Sequence, residues 1–303
     1  MAVLTVRHLT RYRYARPVRL GEHRIMYRPR EAHDQRILEE RIVITPEPTV
    51  LRFVHDVFGN SVAIARFAAP TDRLTFESAV TLDHRPEALD QEDAGAAAFP
   101  PVYSAEDAPD LLRSIERDHP DAEGRLERWT RRFAEAYGAK GALAVLAGMT
   151  RTIHAEFGYA GRLEIGTQTP LETLHLGTGS CRDFAVLMIE AARCLNIAAR
   201  FVSGYVYSEG ADGAARTGGG HTHAWVQAYL PHYGWVEFDP TNGIVGNTDL
   251  IRVAVARDPA QAVPLHGSFF GLASDDLGMQ VAVDVVELPG DAPTTRTIAP
   301  GFF

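Results

Sequence analysis

Three residues of this chain have the types and the setting that thiol chemistry needs: Cys181, His223 and Asp239. The cysteine stands in Gly177-Thr178-Gly179-Ser180-Cys181-Arg182-Asp183-Phe184. Beyond it, Phe184, Leu187, Met188, Ala191 and Leu195 recur at helical spacing and predict an amphipathic helix with one buried stripe. The glycines allow a tight approach and Ser180 supplies a cap, so Cys181 is expected at the helix start. Unpaired backbone N–H groups and the positive helix end favour a thiolate there, and the same donors can stabilise an oxyanion on a substrate. The plainer reading of Cys181 is a small buried apolar residue, the common fate of a free cysteine. Cys194, inside the same predicted helix, has only that reading. At about 1.5 Å rise per residue the two cysteines lie about 20 Å apart along the axis, which excludes a disulfide.

A cysteine nucleophile needs a base in contact, and the base needs a third group to fix its tautomer and stabilise its charged form. The run Gly220-His221-Thr222-His223-Ala224-Trp225-Val226-Gln227-Ala228-Tyr229-Leu230 alternates like a strand. Pro231-His232-Tyr233-Gly234 then makes a turn, and Trp235-Val236-Glu237-Phe238-Asp239-Pro240 completes a β-hairpin. His223, Trp225, Gln227 and Tyr229 share one face by the period of two. If Leu230 pairs with Gly234 across a three-residue loop, Asp239 falls opposite Trp225, on that face and diagonal to His223. A two-residue loop would turn Asp239 away unless a bulge restored it. Taken singly, His223 reads as a satisfied core histidine and Asp239-Pro240 as a strand end. With Cys181 they fill three roles in one geometry. His221 competes for the base role, although the glycines at 218–220 suggest that it sits at a loop edge.

Cys181, His221, His223 and Asp239 are also acceptable zinc ligands by type. The chain lacks the short C-x-x-C or H-E-x-x-H spacing that marks such sites, so neither a metal nor another cofactor is expected.

These residues need a scaffold. The first ninety residues read as short strands, beginning with the alternation at Leu4, Val6 and His8 and continuing at 24–27, 37–44, 50–54, 62–67 and 74–82. Turns such as Phe58-Gly59-Asn60 separate them, as in an antiparallel sandwich or half-barrel. Residues 86–109 shift to Asp, Glu, Ala and Pro and read as a linker. A helix is predicted over 141–157, then a loop to Gly179. The fold class is therefore α+β. An N-terminal antiparallel β domain (1–90) and a linker (91–120) precede an α+β domain (121–303) that carries the candidate residues. The segment 208–220 reads either as a lid or as a plain hairpin loop.

The 303 residues carry a formal net charge of −9, which argues against nucleic-acid or anionic-membrane partners, since both reward clustered Lys and Arg. The N-terminus lacks the apolar core of a secretory signal, and no apolar run is long enough to span a bilayer, so a cytoplasmic location is expected.

Gly179-Ser180-Cys181-Arg182-Asp183-Phe184-Ala185, Ala199-Arg200-Phe201-Val202-Ser203-Gly204-Tyr205, His223-Ala224-Trp225 and Asp239-Pro240-Thr241-Asn242-Gly243 together resemble the transglutaminase-like superfamily, which is similar in mechanism to papain-type cysteine proteases. Tyr12-Arg13-Tyr14 and Asp56-Val57-Phe58-Gly59-Asn60 look like the bacterial transglutaminase-like N-terminal region, and the tail from Ile251 to Val286 also looks like the bacterial members. The resemblance implies a papain/transglutaminase-like core with Cys181, His223 and Asp239 as triad, and it favours His223 over His221 as base. His221 itself, and Pro259 after Arg257-Asp258, depart from the bacterial pattern. The bacterial relatives imply hydrolysis of a peptide or amide bond in a peptide or protein substrate. The alternatives are transfer of the acyl group to an amine, or a non-catalytic peptide-binding module.

Overall fold

The computed structural model describes residues 2–86, 89, 98–161, 166–207 and 215–288. Alternating apolar residues build the long first strand β1 (Ala2–Leu20), which continues through Pro17. Its pairing with β6 shifts register between Arg13 and Val18. Pro17, which has no N–H to give, falls in that irregular stretch. The strands β2 (His23–Ile25), β3 (Gln35–Thr45), β4 (Val50–His55), β5 (Ser61–Arg66) and β6 (Thr71–His84) follow. They form two antiparallel sheets, with β1, β6 and β3 in one and β2, β5 and β4 in the other. Tyr14, Ile25, Tyr27, Ile44, Leu74 and Phe76 form a buried cluster with residues from both sheets. Each such side chain contributes about 1.5–3 kcal/mol of burial. The expected β-rich start is thus an antiparallel two-sheet arrangement. Of the expected linker (91–120), residues 91–97 lie outside the described residues, and Ala108–Ile115 form a helix instead.

Helices then take over: α1 (Ala108–Ile115), α2 (Arg125–Tyr137) and α3 (Ala142–Glu156). The stretch expected as a loop is more ordered. It holds β7 (Gly158–Tyr159), the short helix α4 (Pro170–Leu176) and β8 (Thr178–Gly179). Thr169 and Glu172 cap α4 reciprocally, with Thr169 N donating to Glu172 at 2.7 Å and Glu172 N donating to Thr169 Oγ1 at 3.3 Å. The long buried helix α5 (Cys181–Cys194) lies against a sheet made of β9 (Ala199–Val206), β10 (His223–Leu230), β11 (Gly234–Asp239), β12 (Ile244–Val245) and β13 (Leu250–Ala256). The spatial order in that sheet is β12-β11-β10-β9-β13. Ala224, Val226, Ala228 and Leu230 of β10 share a core with Phe184, Leu187 and Met188 of α5, which fixes the helix on one face of the sheet.

The last strands return to the N-terminal sheets. β14 (Leu265–His266) pairs with β2, β15 (Phe269–Phe270) pairs with β1, and β16 (Asp276–Glu287) runs along β1 from Leu4 to Tyr14. The two parts also meet at β13, an edge strand whose backbone needs partners. Gln35 gives its amide to Arg252 O at 2.8 Å and accepts from Arg252 N at 3.0 Å. Asn60 does the same for Val255, at 2.7 and 2.9 Å. Two side-chain amides thus replace a neighbouring strand. Among the described residues no helix is long and apolar enough to cross a membrane.

Candidate active site

Cys181 is the first residue of α5 and is 8% exposed. The helix start is built by the buried carboxylate of Asp183, which accepts from Ser180 N and Ser180 Oγ, both at 2.8 Å. Its other oxygen accepts from Gln168 N at 2.7 Å, tying the approach to α4 onto the first turn of α5. A Cβ at position 179 would stand 2.9 Å from the Asp183 Cβ, so only glycine lets the chain come this close. The Cys181 amide is among the first-turn donors that have no helical acceptor.

The hairpin has the three-residue loop: Leu230 pairs with Gly234, and the ladder reaches Val226–Phe238. One step further puts Asp239 opposite Trp225. His223 Nε2 donates to Asp239 Oδ2 at 2.8 Å, and both side chains are fully buried. Thr241 N and Asn242 N donate to Asp239 Oδ1 at 2.9 and 3.3 Å. The His223 ring stacks on Trp225 with centroids 5.9 Å apart. Burial disfavours the imidazolium, yet the Asp239 carboxylate and then the Cys181 side chain outweigh it and raise the His223 pKa to about 10. Burial also acts against the Asp239 carboxylate; the His223 charge, with donors from Asn242 and Thr241, still holds that carboxyl below its ordinary range. His223 Nδ1 is buried without a nitrogen or oxygen partner among the described residues. The thiol is the remaining group that acts on the ring. An imidazolium beside a sulfur is the arrangement a thiolate nucleophile uses.

Two residues without an assigned role complete the geometry. Asn242 Nδ2 donates to Asp239 Oδ2 at 2.7 Å and to Thr217 O at 3.1 Å, while Asn242 Oδ1 accepts from Thr217 N at 2.7 Å. One amide therefore clamps the carboxylate and anchors the segment that leads to β10. That segment carries Gly218, at φ +92°, where a Cβ would stand 2.6 Å from His223 Nδ1. Arg216 pairs with Asp249 at 2.7 Å, and Val283 N of β16 donates to Gly220 O at 2.9 Å. The hint in the sequence was an asparagine three residues after Asp239, in the turn that ends β11. His221 is exposed and precedes the strand, apart from the cluster. Cys194 ends α5 half-buried, and burial pushes its thiol up to about 11. Residues 208–214 of the expected lid lie outside the described residues. Among the described residues no three His, Cys, Asp or Glu side chains converge in a way that could hold a metal ion.

Residues 4–83 match the bacterial transglutaminase-like N-terminal region, and residues 131–240 match the transglutaminase-like superfamily core. An uncharacterised protein of Mycobacterium tuberculosis is 30% identical over 299 residues, covering 95% of this chain and 93% of its own. The chain belongs to the transglutaminase-like superfamily. A further relative, from Mycobacterium leprae, is 36% identical over 113 residues, 37% of this chain and 40% of its own. Among solved structures, a candidate cysteine protease from Cytophaga hutchinsonii superposes with a TM-score of 0.72 at 20% identity, over 97% of this chain and 93% of its own. That likeness covers the fold of both parts of the chain, N-terminal sheets included. The superfamily is one of thiol-dependent enzymes, and the α+β class is that of the fold.

Proposed function

We propose that this protein is an acyl-transfer enzyme that hydrolyses a peptide or amide bond, with Cys181 as nucleophile, His223 as proton carrier and Asp239 as the group that holds the histidine. The observation that carries the reading is the state of His223. One nitrogen is fixed on a buried carboxylate, the other has no nitrogen or oxygen partner among the described residues, and the Cys181 side chain acts on the ring.

The Cys181 sulfur attacks the amide carbonyl, forming a C–S bond and an oxyanion that the first-turn N–H groups of α5 can stabilise. The C–N bond then breaks, and the leaving nitrogen takes a proton from the His223 imidazolium. Water attacks the thioester while neutral His223 accepts its proton. The C–S bond breaks, releasing the carboxylic acid and restoring the thiolate–imidazolium pair. Asp239 does not change protonation; it stabilises the charged ring and fixes its tautomer.

The test joins labelling to turnover. Iodoacetamide should alkylate Cys181 quickly near neutral pH, and His223→Ala should slow that step about a hundredfold. A peptide–amide panel, run with and without primary amines, should show turnover that Cys181→Ala abolishes. Equal labelling rates in wild type and His223→Ala would leave a peptide-binding module as the better account. Amine-dependent products would move the acceptor from water to an amine.

A further inference from the structure

β7 pairs in parallel with β8, so that Tyr159 aligns with Gly179, two residues before the Cys181 sulfur. Gly158 N donates to Gly177 O at 2.8 Å and Ala160 N donates to Gly179 O at 2.9 Å, which pins the tyrosine beside the start of α5. Tyr159 is 46% exposed. Arg182, next to the nucleophile and half-buried, brings its charge to bear on the same hydroxyl. The Cys181 and Asp239 charges also reach that hydroxyl, and the Tyr159–Gly179 pairing sets the phenol beside the turn that carries Cys181 and Arg182.

Neither head group has an acceptor among the described residues. That is unlike the way this chain treats its other well-covered arginines. Arg193 lies on Glu190 at 2.8 Å, Arg216 on Asp249 at 2.7 Å, and Arg252 on Asp34 at 2.8 Å. Among the described residues Arg200, also well covered, has no ion pair but gives a hydrogen bond to Gln227 Oε1 at 2.8 Å; Arg182 has neither kind of partner. Burial, and then the Cys181 charge, push the Tyr159 pKa up, so the phenol remains a donor at neutral pH. A planar guanidinium and a phenolic O–H, both without acceptors, are complementary to a carboxylate. One cation balances a single negative charge, which fits a carboxylate better than a phosphate dianion.

We propose that Arg182 and Tyr159 form a subsite for a carboxylate carried by the substrate next to its scissile amide. The subsite rests on the thiol-enzyme reading and adds a substrate class to it: peptides cut beside a free C-terminal carboxylate or beside an acidic side chain.

The experiment compares alkylation of Cys181 in the full chain by iodoacetate, which carries a carboxylate, and by neutral iodoacetamide, at low salt and neutral pH, with mass spectrometry to locate the label. Taking the ratio of the two rates cancels general changes in thiol reactivity. Arg182→Gln should lower the iodoacetate-to-iodoacetamide ratio about fivefold, Arg182→Lys should keep most of it, and Tyr159→Phe should lower it less. Protection by N-acetyl-alanyl-alanine over its C-terminal amide would assign an α-carboxylate. Protection by N-acetyl-glutamyl-alanine amide over its glutamine counterpart would assign a side chain. A ratio within twofold of wild type in Arg182→Gln, or no acid preference in either peptide pair, overturns the subsite and leaves the thiol reading standing. Failure of both reagents at Cys181 in the wild type would bring down the thiol reading and the subsite with it.

Discussion

One face of the β10–β11 hairpin carries two polar clusters, a few residues apart and opposite in character. At its centre, Gln227 donates to Glu237 at 2.9 Å and accepts from Arg200 at 2.8 Å. Arg252 bridges Glu237 to both oxygens of Asp34, and Arg200 lies 3.8 Å over the Trp235 ring. The charged and amide groups there answer one another, and the cluster ties the hairpin to the N-terminal part. At the end of the hairpin, His223 and Asp239 are as deeply buried, yet among the described residues His223 Nδ1, Trp225 Nε1 and Thr241 Oγ1 are without partners. A buried polar atom left unpaired costs about 1–3 kcal/mol. The charged groups of the joint are paired, whereas the buried His223–Asp239 end leaves three polar atoms open; His84 Nε2, near Asp34 and Arg252, is open on the joint side as well.

Arg252→Met should break the contrast most severely, because it strands the Asp34 and Glu237 carboxylates in the interior. Urea unfolding should show a loss of about 3–5 kcal/mol; a loss under 1 kcal/mol would mean that the joint is not the stabilising cluster described. Next comes pH. The His223 pKa is raised from 6.5 to about 10, so its pairing stabilises the fold fully below pH 6.5 and that stabilisation is lost as pH rises through about 10. The Arg252 guanidinium, whose pKa is raised further by Glu237 and Asp34 against burial, does not titrate in that window. Wild type should therefore lose more unfolding free energy between pH 6.5 and 10 than His223→Gln does. Parallel curves would contradict the charged pair. The smallest effect belongs to Asn242→Ala, which removes the clamp shared by Asp239 and Thr217. It should slow Cys181 alkylation about tenfold and cost about 1 kcal/mol of stability. Full-rate alkylation with the stability loss would mark Asn242 as a packing residue only.

Local chemistry made much of the site legible. Ser180 before an apolar stripe marks a helix start, and the count from Leu230 to Gly234 sets on which face Asp239 falls. Long-range pairing was hidden. Nothing about Gln35 or Asn60 in isolation shows that each serves as a surrogate strand for β13, about two hundred residues away. Gly218 reads as one of three loop glycines until the His223 ring is placed against it. The run from Asp276 to Glu287 alternates like any strand, and its partner β1 is at the other end of the chain. Alternation gives the face of a strand and never the identity of its neighbour. The expected loop before Gly179 holds a helix for a local reason: Thr169 and Glu172, three residues apart, form the capping box that starts α4.

The amide of Val283 holds Gly220, three residues before His223, from a strand that belongs to the N-terminal sheet. A gene fragment encoding only the second half would therefore yield a product with a bare edge at β13 and Arg252 deprived of Asp34. A fragment encoding only the first would lack three strands from its sheets. Neither piece is a portable module. Recombination or tag-and-truncate engineering must carry the two parts as one inheritance.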